Sequence, residues 1–572
     1  DLSGVTQAEF FAQAEAMVIE AMGRYAEQTP RLQHRLFADD AARGLAFVDL
    51  CRRRYDIVLM NPPFGKPSKP SLRYLRNTYE GTWKDVYAAF FERAAQLAPS
   101  GLIGAITSSQ FLHTKQMLPL RKAWVSAKSL RAFVKLGHEV LDGATVDTGL
   151  SILANGGSND ADVAYGDVSA CDNLNKHEAL RDWSGGKGIC IYRLSDFSKI
   201  ATTPFAFHSN PILLRLWSGP DRLQPHVGRV ATGNHTFDDE RFVRLRWEVP
   251  PELIGSRWRV FEKGGEYQPY YMATPLLLDW RDDGRELRDL NTAKYGSEAQ
   301  VMQSSRYWFT PGLCYSHVSS IGFGPRVLPA GAIFSSESIS IFPQRSEHRL
   351  PLLGLLCSTL AQDLVNVFGE YRKIENRAVS NLPIGTNALG KQANALSDAA
   401  LKGIQLVQRL EAMDETSPLF VAPDFIVTAD TTLSERDRIC GELQGIADSI
   451  DSVTQSVLHL PPETLTPKSS PRSTLVRQFV YRDVPDRTVG SQTVVSFCVG
   501  VAYGRWQPCV AGQDVADSLD FSPFDALPST PPASGSVRVG EGKARREILV
   551  DDVGHSDDIA DRCGDLLEVM WG

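Results

Sequence analysis

Tyr55-Asp56-Ile57-Val58-Leu59-Met60-Asn61-Pro62-Pro63-Phe64-Gly65 is an apolar run that stops abruptly against two prolines. The run Ile57 to Met60, with an acid before it, predicts a short strand buried on both faces of a parallel sheet. Neither proline can donate to a ladder, so pairing ends there. Pro62 also biases Asn61 toward extended backbone. A stiff loop follows at the carboxyl end of the strand, where open α/β sheets place their ligands. It presents one amide side chain, the Pro62 carbonyl and one aromatic ring.

An exocyclic amino nitrogen on a base is a poor nucleophile, because its lone pair is delocalised into the ring. The Asn61 side-chain oxygen and the Pro62 carbonyl can accept its two hydrogens. That favours a tetrahedral nitrogen and frees the lone pair for a methyl donor. Phe64 can stack on the base once it leaves the duplex. The plain alternative is a Pro-Pro turn after a buried strand, and the flanking sequence has to decide.

Downstream, Gly65 to Gly81 is polar and basic and reads as a loop. Asp85-Val-Tyr-Ala-Ala-Phe-Phe-Glu-Arg-Ala-Ala-Gln-Leu predicts a helix with an acid in its first turn, ended by Pro99-Ser100-Gly101. Leu102 to Thr107 predicts a second buried strand. A helix through Leu118 to Ser126, a strand at Leu130 to Leu136 and a strand at Leu150 to Ala154 follow. This alternation is half of a doubly wound α/β domain. Upstream, Thr6 to Gln28 reads as an amphipathic helix, and Gly44 to Leu50 as a short strand.

The chain has 572 residues, 43% hydrophobic and 22% charged, the balance of a globular protein of several domains. No apolar run is long enough to span a bilayer. The nine cysteines are dispersed with no CxxC pair, which predicts a reduced, cytoplasmic setting without a zinc site or disulfide framework. Net charge is −8, yet Cys51 to Asn155 holds 15 Lys and Arg against 7 Asp and Glu, a local +8. Lys66, Lys69, Arg73 and Arg76 follow the Pro-Pro loop directly and are candidates to hold phosphates. The alternative is a solvated loop.

Residues 156–188 are rich in Gly, Asn, Asp and Ser and read as a linker. Residues 189–385 carry many aromatics in short strand-like segments, among them Arg241 to Trp247, Tyr307 to Phe309 and Gly331 to Phe334. Residues 386–460 read as helical and 461–572 as a C-terminal α/β region with proline-rich stretches. Residues 1–155 read as one α/β region.

The runs Asp56 to Gly65, Asp85 to Ala94, Gly101 to Thr107 and Leu141 to Leu153 resemble adenine-N6 DNA methyltransferases of the large type IIG restriction-modification kind. Ala231-Thr-Gly-Asn-His, Lys263-Gly-Gly-Glu-Tyr, Asp279-Trp-Arg-Asp-Asp-Gly, Tyr315-Ser-His-Val-Ser-Ser and Ser496 to Trp506 resemble the PglX-like methyltransferases of BREX phage defence. The resemblance implies a Rossmann-like methyltransferase domain followed by a mixed α+β target-recognition region. It implies that residues 1–155 are the C-terminal part of a class I methyltransferase catalytic domain. It implies S-adenosyl-L-methionine as donor and adenine in double-stranded DNA as acceptor, with other phage-defence proteins as further partners and neither membrane nor metal. Carried over as catalytic are Asn61, Pro62, Pro63 and Phe64. Asp85 and Tyr87 match the helix near the family's donor pocket, with helix capping and packing as the alternative. Lys263, Glu266 and Tyr267 fall in a motif of the recognition region and either contact DNA or form a turn.

The family's Gly-rich donor loop is not found before Tyr55, so a fragment lacking the N-terminal donor-binding motif is expected. The alternatives are a non-catalytic DNA-recognition subunit, or an Asn-Pro-Pro-aromatic methyltransferase acting on glutamine or RNA. Glu541-Gly-Lys543, with Asp520 and Asp525 upstream, has the spacing of a nuclease site, but so polar a stretch supports no metal assignment.

Overall fold

The computed structural model describes residues 51–572, apart from 142–145, 156–161, 266, 298–301, 370–372, 391, 424–434, 462–463, 465–486, 503–505, 507–520, 533–552, 554–557 and 572, together with scattered positions between Met17 and Leu50. Most of the helix expected at Thr6 to Gln28, and Asp520, Glu541 and Lys543, lie outside the described residues. The chain divides into two compact units, Asp1–Phe207 and His208–Gly572.

The first unit is built on a mixed sheet in the order β1-β2-β4-β3-β5-β6. Strand β1 (Ile57–Met60) runs parallel to β2 (Leu102–Ser108), with Ile57 opposite Leu102 and Met60 opposite Ala105. The crossover between them carries helix α1 (Lys69–Thr78) and helix α2 (Val86–Leu97). Helix α3 (Leu118–Ser126) leads to β3 (Leu130–Gly137), and β4 (Thr148–Ala154) inserts antiparallel between β2 and β3. The expected strands and helices from Ile57 to Ala154 are all present, as an α/β layer. Phe91, Phe111, Trp124 and Phe133 form a continuous edge-to-face core between helices and sheet, with centroids 4.9 to 6.5 Å apart.

Four expectations are corrected. Gly65 to Gly81 is not all loop: Ser68 and Pro70 start α1, which is a serine and proline helix entry. The described positions from Asp40 to Arg52 are helical, so Gly44 to Leu50 is no strand; its apolar run is nearly continuous, a pattern that does not by itself separate strand from helix. Strand β1 is not buried on both faces. It is the sheet edge among the described residues, and Ile57 and Leu59 are 59% and 80% exposed. Finally, 156–188 is not merely a linker. It holds β5 (Asp162–Asp167), paired parallel to β3, and helix α4 (Lys176–Ser184); β6 (Cys190–Arg193) then pairs with β5. Val163 and Tyr165 supply the alternating buried face that a Gly-rich composition had masked.

Arg121 on α3 carries the first unit beyond residue 189. It is fully buried, and its guanidinium donates to the carbonyls of Phe111 (2.6 Å), Thr114 (2.9 Å), Thr202 (2.9 Å) and Thr203 (2.7 Å). Phe205 and Phe207 then pack on Trp124 and Phe133.

The second unit contains two small sheets, one in which Ile333–Phe334, Trp258–Glu262, Leu276–Asp279 and Val243–Leu245 lie side by side in that order, and one in which Arg326–Leu328, Gly312–Ser316, Ser338–Pro343 and β7 (Gly228–Ala231) do. In the first, β8 (Val243–Leu245) and β9 (Trp258–Glu262) flank β10 (Leu276–Asp279), all antiparallel. Arg241 to Trp247 is strand only at its centre, because Asp238 caps a helical turn on one side. Tyr307 to Phe309 is a turn rather than a strand, with Phe309 at φ +65. Helices Ala393–Glu411 and Glu435–Val457 lie in the region read as helical.

Candidate active site and nucleic-acid interface

Strand β1 is clamped where it enters the site. The Tyr55 amide donates to the Leu97 carbonyl (2.9 Å) and the Leu102 amide to the Asp56 carbonyl (2.8 Å). Gly101 makes that approach possible: a Cβ there would lie 2.3 Å from the Asp56 carbonyl oxygen. The strand therefore delivers Asn61 to a set position at its carboxyl end.

Asn61 and Pro63 are exposed, Pro62 is buried and Phe64 is half-buried. No hydrogen bond occupies the Asn61 amide among the described residues. The loop is closed onto the start of α2. The Gly65 amide donates to the Asp85 carboxylate (3.0 Å), and the Gly65 carbonyl accepts from the Val86 amide (3.0 Å). Gly65 takes φ +106, which favours glycine. The Phe64 ring meets the edge of Tyr87 at 6.2 Å and 87°. Burial lifts the Asp85 carboxyl above its ordinary range, against the lowering effect of the Gly65 hydrogen bond. Burial also raises the Tyr87 phenol, with Asp85 adding to it.

Tyr87 is 1% exposed and has no surface to offer a nucleoside. The Asp85 carboxylate is spent on the loop. Both side chains contact the loop.

Lys66, Lys69, Arg73 and Arg76 are all exposed. Three of them lie on α1 at positions i, i+4 and i+7, one stripe of a helix. None of the three is in an ion pair among the described residues. Arg76 also covers the Trp83 ring, 5.6 Å from its centroid. The helix signature, Ser68 followed by Pro70, was present in the sequence.

In the second unit Lys263 is salt-bridged to Asp239. Glu266 lies outside the described residues. Tyr267 is half-buried against Gly324, where a Cβ would come 3.1 Å from its ring. Gly264 and Gly265 both take positive φ, so the motif turns sharply. Its carbonyls are held by Arg326 Nη2 (3.2 Å, to Gly264) and Ser316 Oγ (2.9 Å, to Gly265). Arg326 in turn pairs with Glu262 at 2.7 Å, both side chains at 1% exposure or less. Sequence reasoning missed this buried pair, because neither residue stands out in charge pattern or spacing. Among the described residues no group of His, Cys, Asp and Glu could hold a metal ion, and no helix is long and apolar enough to cross a membrane.

Residues 21–140 match the family described as Eco57I restriction-modification methylase. The chain is 22% identical over 357 residues to the adenine-specific methyltransferase PglX of Lacticaseibacillus casei (strain Zhang), covering 58% of this chain and 29% of that protein. It is 21% identical over 562 residues to the adenine-specific methyltransferase BrxX of Escherichia coli O9:H4 (strain HS), covering 91% of this chain and 44% of that protein. The chain thus spans less than half the length of these curated relatives. Among solved structures it is similar to the type IIL restriction-modification enzyme MmeI in complex with DNA, at TM-score 0.43 and 16% identity, covering 74% of this chain and 57% of that one. A nuclease-deletion mutant of the type ISP enzyme LlaGI with a DNA substrate mimic gives TM-score 0.41 and 12% identity, covering 82% and 55%. The chain is thus similar to the adenine-specific methyltransferases PglX and BrxX, and the segment that matches the Eco57I restriction-modification methylase family includes the Asn61-Pro62-Pro63-Phe64 loop.

Proposed function

We propose that this chain carries the base-holding catalytic loop and the DNA-recognition region of an adenine-N6 DNA methyltransferase of a bacterial phage-defence system, BREX or restriction-modification. The supporting observation is the loop itself. An exposed Asn61 amide with no hydrogen bond among the described residues stands beside the Pro62 carbonyl at the end of a clamped strand. The Asn61 Oδ1 and the Pro62 carbonyl accept the two N6 hydrogens of an adenine flipped out of double-stranded DNA. Both acceptors favour a tetrahedral nitrogen, so its lone pair points out of the ring plane. Phe64, braced edge-on by Tyr87, stacks on the base. Asp85 keeps the loop closed through Gly65. Preorganisation is the gain, because the acceptors need no reorientation as charge develops. S-adenosylmethionine is the methyl source in this reading, and the residues named here act on the acceptor side.

The cationic stripe Lys69, Arg73 and Arg76, with Lys66 beside it, is read as a phosphate contact. Lys263, Glu266 and Tyr267 are read as a DNA-contacting motif of the recognition region, Lys263 exchanging its Asp239 partner for the DNA. For Asn61→Ala in the full-length protein, methyl transfer to duplex DNA is expected to fall by roughly 100-fold or more, with duplex affinity retained. An unchanged transfer rate removes Asn61 from this role. Detection of N4-methylcytosine instead of N6-methyladenine in product DNA overturns the base assignment.

A second reading, a DNA-recognition subunit without catalysis, draws on Asp85 and Tyr87 being spent on the loop. Calorimetric titration of the full-length protein with S-adenosylmethionine separates the two. Micromolar binding favours the enzyme, and no heat at millimolar donor favours the recognition subunit.

A further inference from the structure

The motif Asp279-Trp280-Arg281-Asp282-Asp283-Gly284 takes no part in the loop chemistry above. Asp282, Asp283 and Gly284 are three consecutive left-handed residues, at φ 52, 59 and 71. That backbone is disfavoured for side chains with a Cβ, and the surroundings hold it in place. Trp280 Nε1 donates to the Asp283 carboxylate (3.0 Å), and the Arg281 amide to the Asp279 carboxylate (3.1 Å). A Cβ at Gly284 would come 2.7 Å from the Trp280 ring.

The turn forms one wall of a half-open cleft of about 400 Å³, which Arg257, Arg259 and Phe309 also line. Most charges around it are already used. Arg257 and Arg281 both pair with Asp279, at 2.7 and 2.9 Å. Asp283 holds Trp280 and lies 3.8 Å from Arg288. Two groups are left over. Arg259 on β9 has a buried Nε with no hydrogen-bond partner among the described residues, and its guanidinium lies over the Phe309 ring at 5.0 Å. Asp282 is exposed and has no hydrogen bond or ion pair among the described residues.

The cleft therefore presents an unused fork of donors and an unused carboxylate, each on a constrained support. A phosphate would suit Arg259 but would be repelled by Asp282 and Asp283. A base-pair edge suits both. Guanine offers O6 and N7 to an arginine fork, and cytosine offers its N4 amino hydrogens to a carboxylate. We propose that this cleft reads a G·C base pair in the major groove, with Arg259 on guanine and Asp282 on cytosine. The assignment rests on reading residues 208–572 as a DNA-recognition region.

The test is selection of duplexes from a randomised pool by the 572-residue chain, as wild type, Arg259→Ala, Arg259→Lys and Asp282→Asn, with affinity measured against salt. The wild type is expected to enrich a sequence holding a G·C pair at a position that both Arg259 variants relax by roughly ten- to a hundredfold. The rest of the sequence and the salt slope stay unchanged, and Asp282→Asn relaxes the same position. Arg259→Lys keeps an aliphatic stem against Phe309, so it remains informative if Arg259→Ala fails to fold. A uniform loss of affinity with a salt slope lowered by about one marks a phosphate contact and overturns the assignment. Variants that all keep the wild-type sequence overturn it too. A wild-type chain that enriches nothing overturns the recognition reading and this assignment with it.

Discussion

Asp85 shows how one residue sets the shape of the loop. Its carboxylate takes the Gly65 amide, and burial raises its pKa above the ordinary carboxylate value. A raised acid pKa favours the folded state below the unfolded-state pKa, and that contribution is lost as pH rises through the folded-state pKa. Asparagine keeps an acceptor for Gly65 and carries no charge. The stability of Asp85→Asn relative to wild type is therefore expected to improve between acid and neutral pH, as read by urea denaturation at pH 4 and pH 7. A difference independent of pH contradicts the raised pKa. Glu262 is a sharper case. Its side chain is 1% exposed and its partner Arg326 is fully buried. Removing one charge leaves the other buried and uncompensated, so Glu262→Gln is expected to cost about 3–5 kcal/mol in urea denaturation. These roles were only partly legible. Asp85 reads as a helix-start acid in the sequence, but its tie to a residue twenty positions earlier does not.

At the scale of elements, α1 turns four cations that look like a loop's solubility charges into an ordered stripe. Each phosphate contact contributes a slope of about 0.9 in log affinity against log salt. Replacing Lys69, Arg73 and Arg76 with alanine is expected to lower that slope by roughly two to three units, with helix content unchanged by circular dichroism. An unaltered slope makes the stripe a solvated face. The β-α-β core from Ile57 to Ala154 was legible because apolar runs, proline stops and helix-start acids all agree there. Residues 156–188 were not, since alternation in β5 is short and lies between Gly- and Asn-rich stretches. Nor was the exposed flank of β1. The apolar run Ile57 to Met60 states what the strand can bury, not what lies against it.

Across the whole molecule, the boundary of the first unit follows from one buried side chain. Arg121 reaches the carbonyls of Thr202 and Thr203, over eighty positions away in sequence. Arg121→Met keeps apolar bulk but leaves those carbonyls unpaired. The expected cost is at least about 2–3 kcal/mol, with faster proteolysis near 202–207 as the direct readout. Unchanged cleavage there refutes the pinning role.

By itself the sequence determined the α/β class of the first unit, the strand-to-loop junction at Met60–Asn61 and the relation to adenine-specific methyltransferases. Those are local properties: apolar period, missing proline N–H groups, and residue identity along a short stretch. Only the tertiary structure decided which side chains are spent and which are free. Asp85 and Tyr87 are used up holding the loop, Lys263 is paired, and Glu262 and Arg326 neutralise each other in the core. Asn61, Arg259 and Asp282 are left over. The physical reason is that partnership depends on distances between residues far apart in the chain. Pairing and burial, which set whether a polar group acts on itself or on a ligand, exist only after folding.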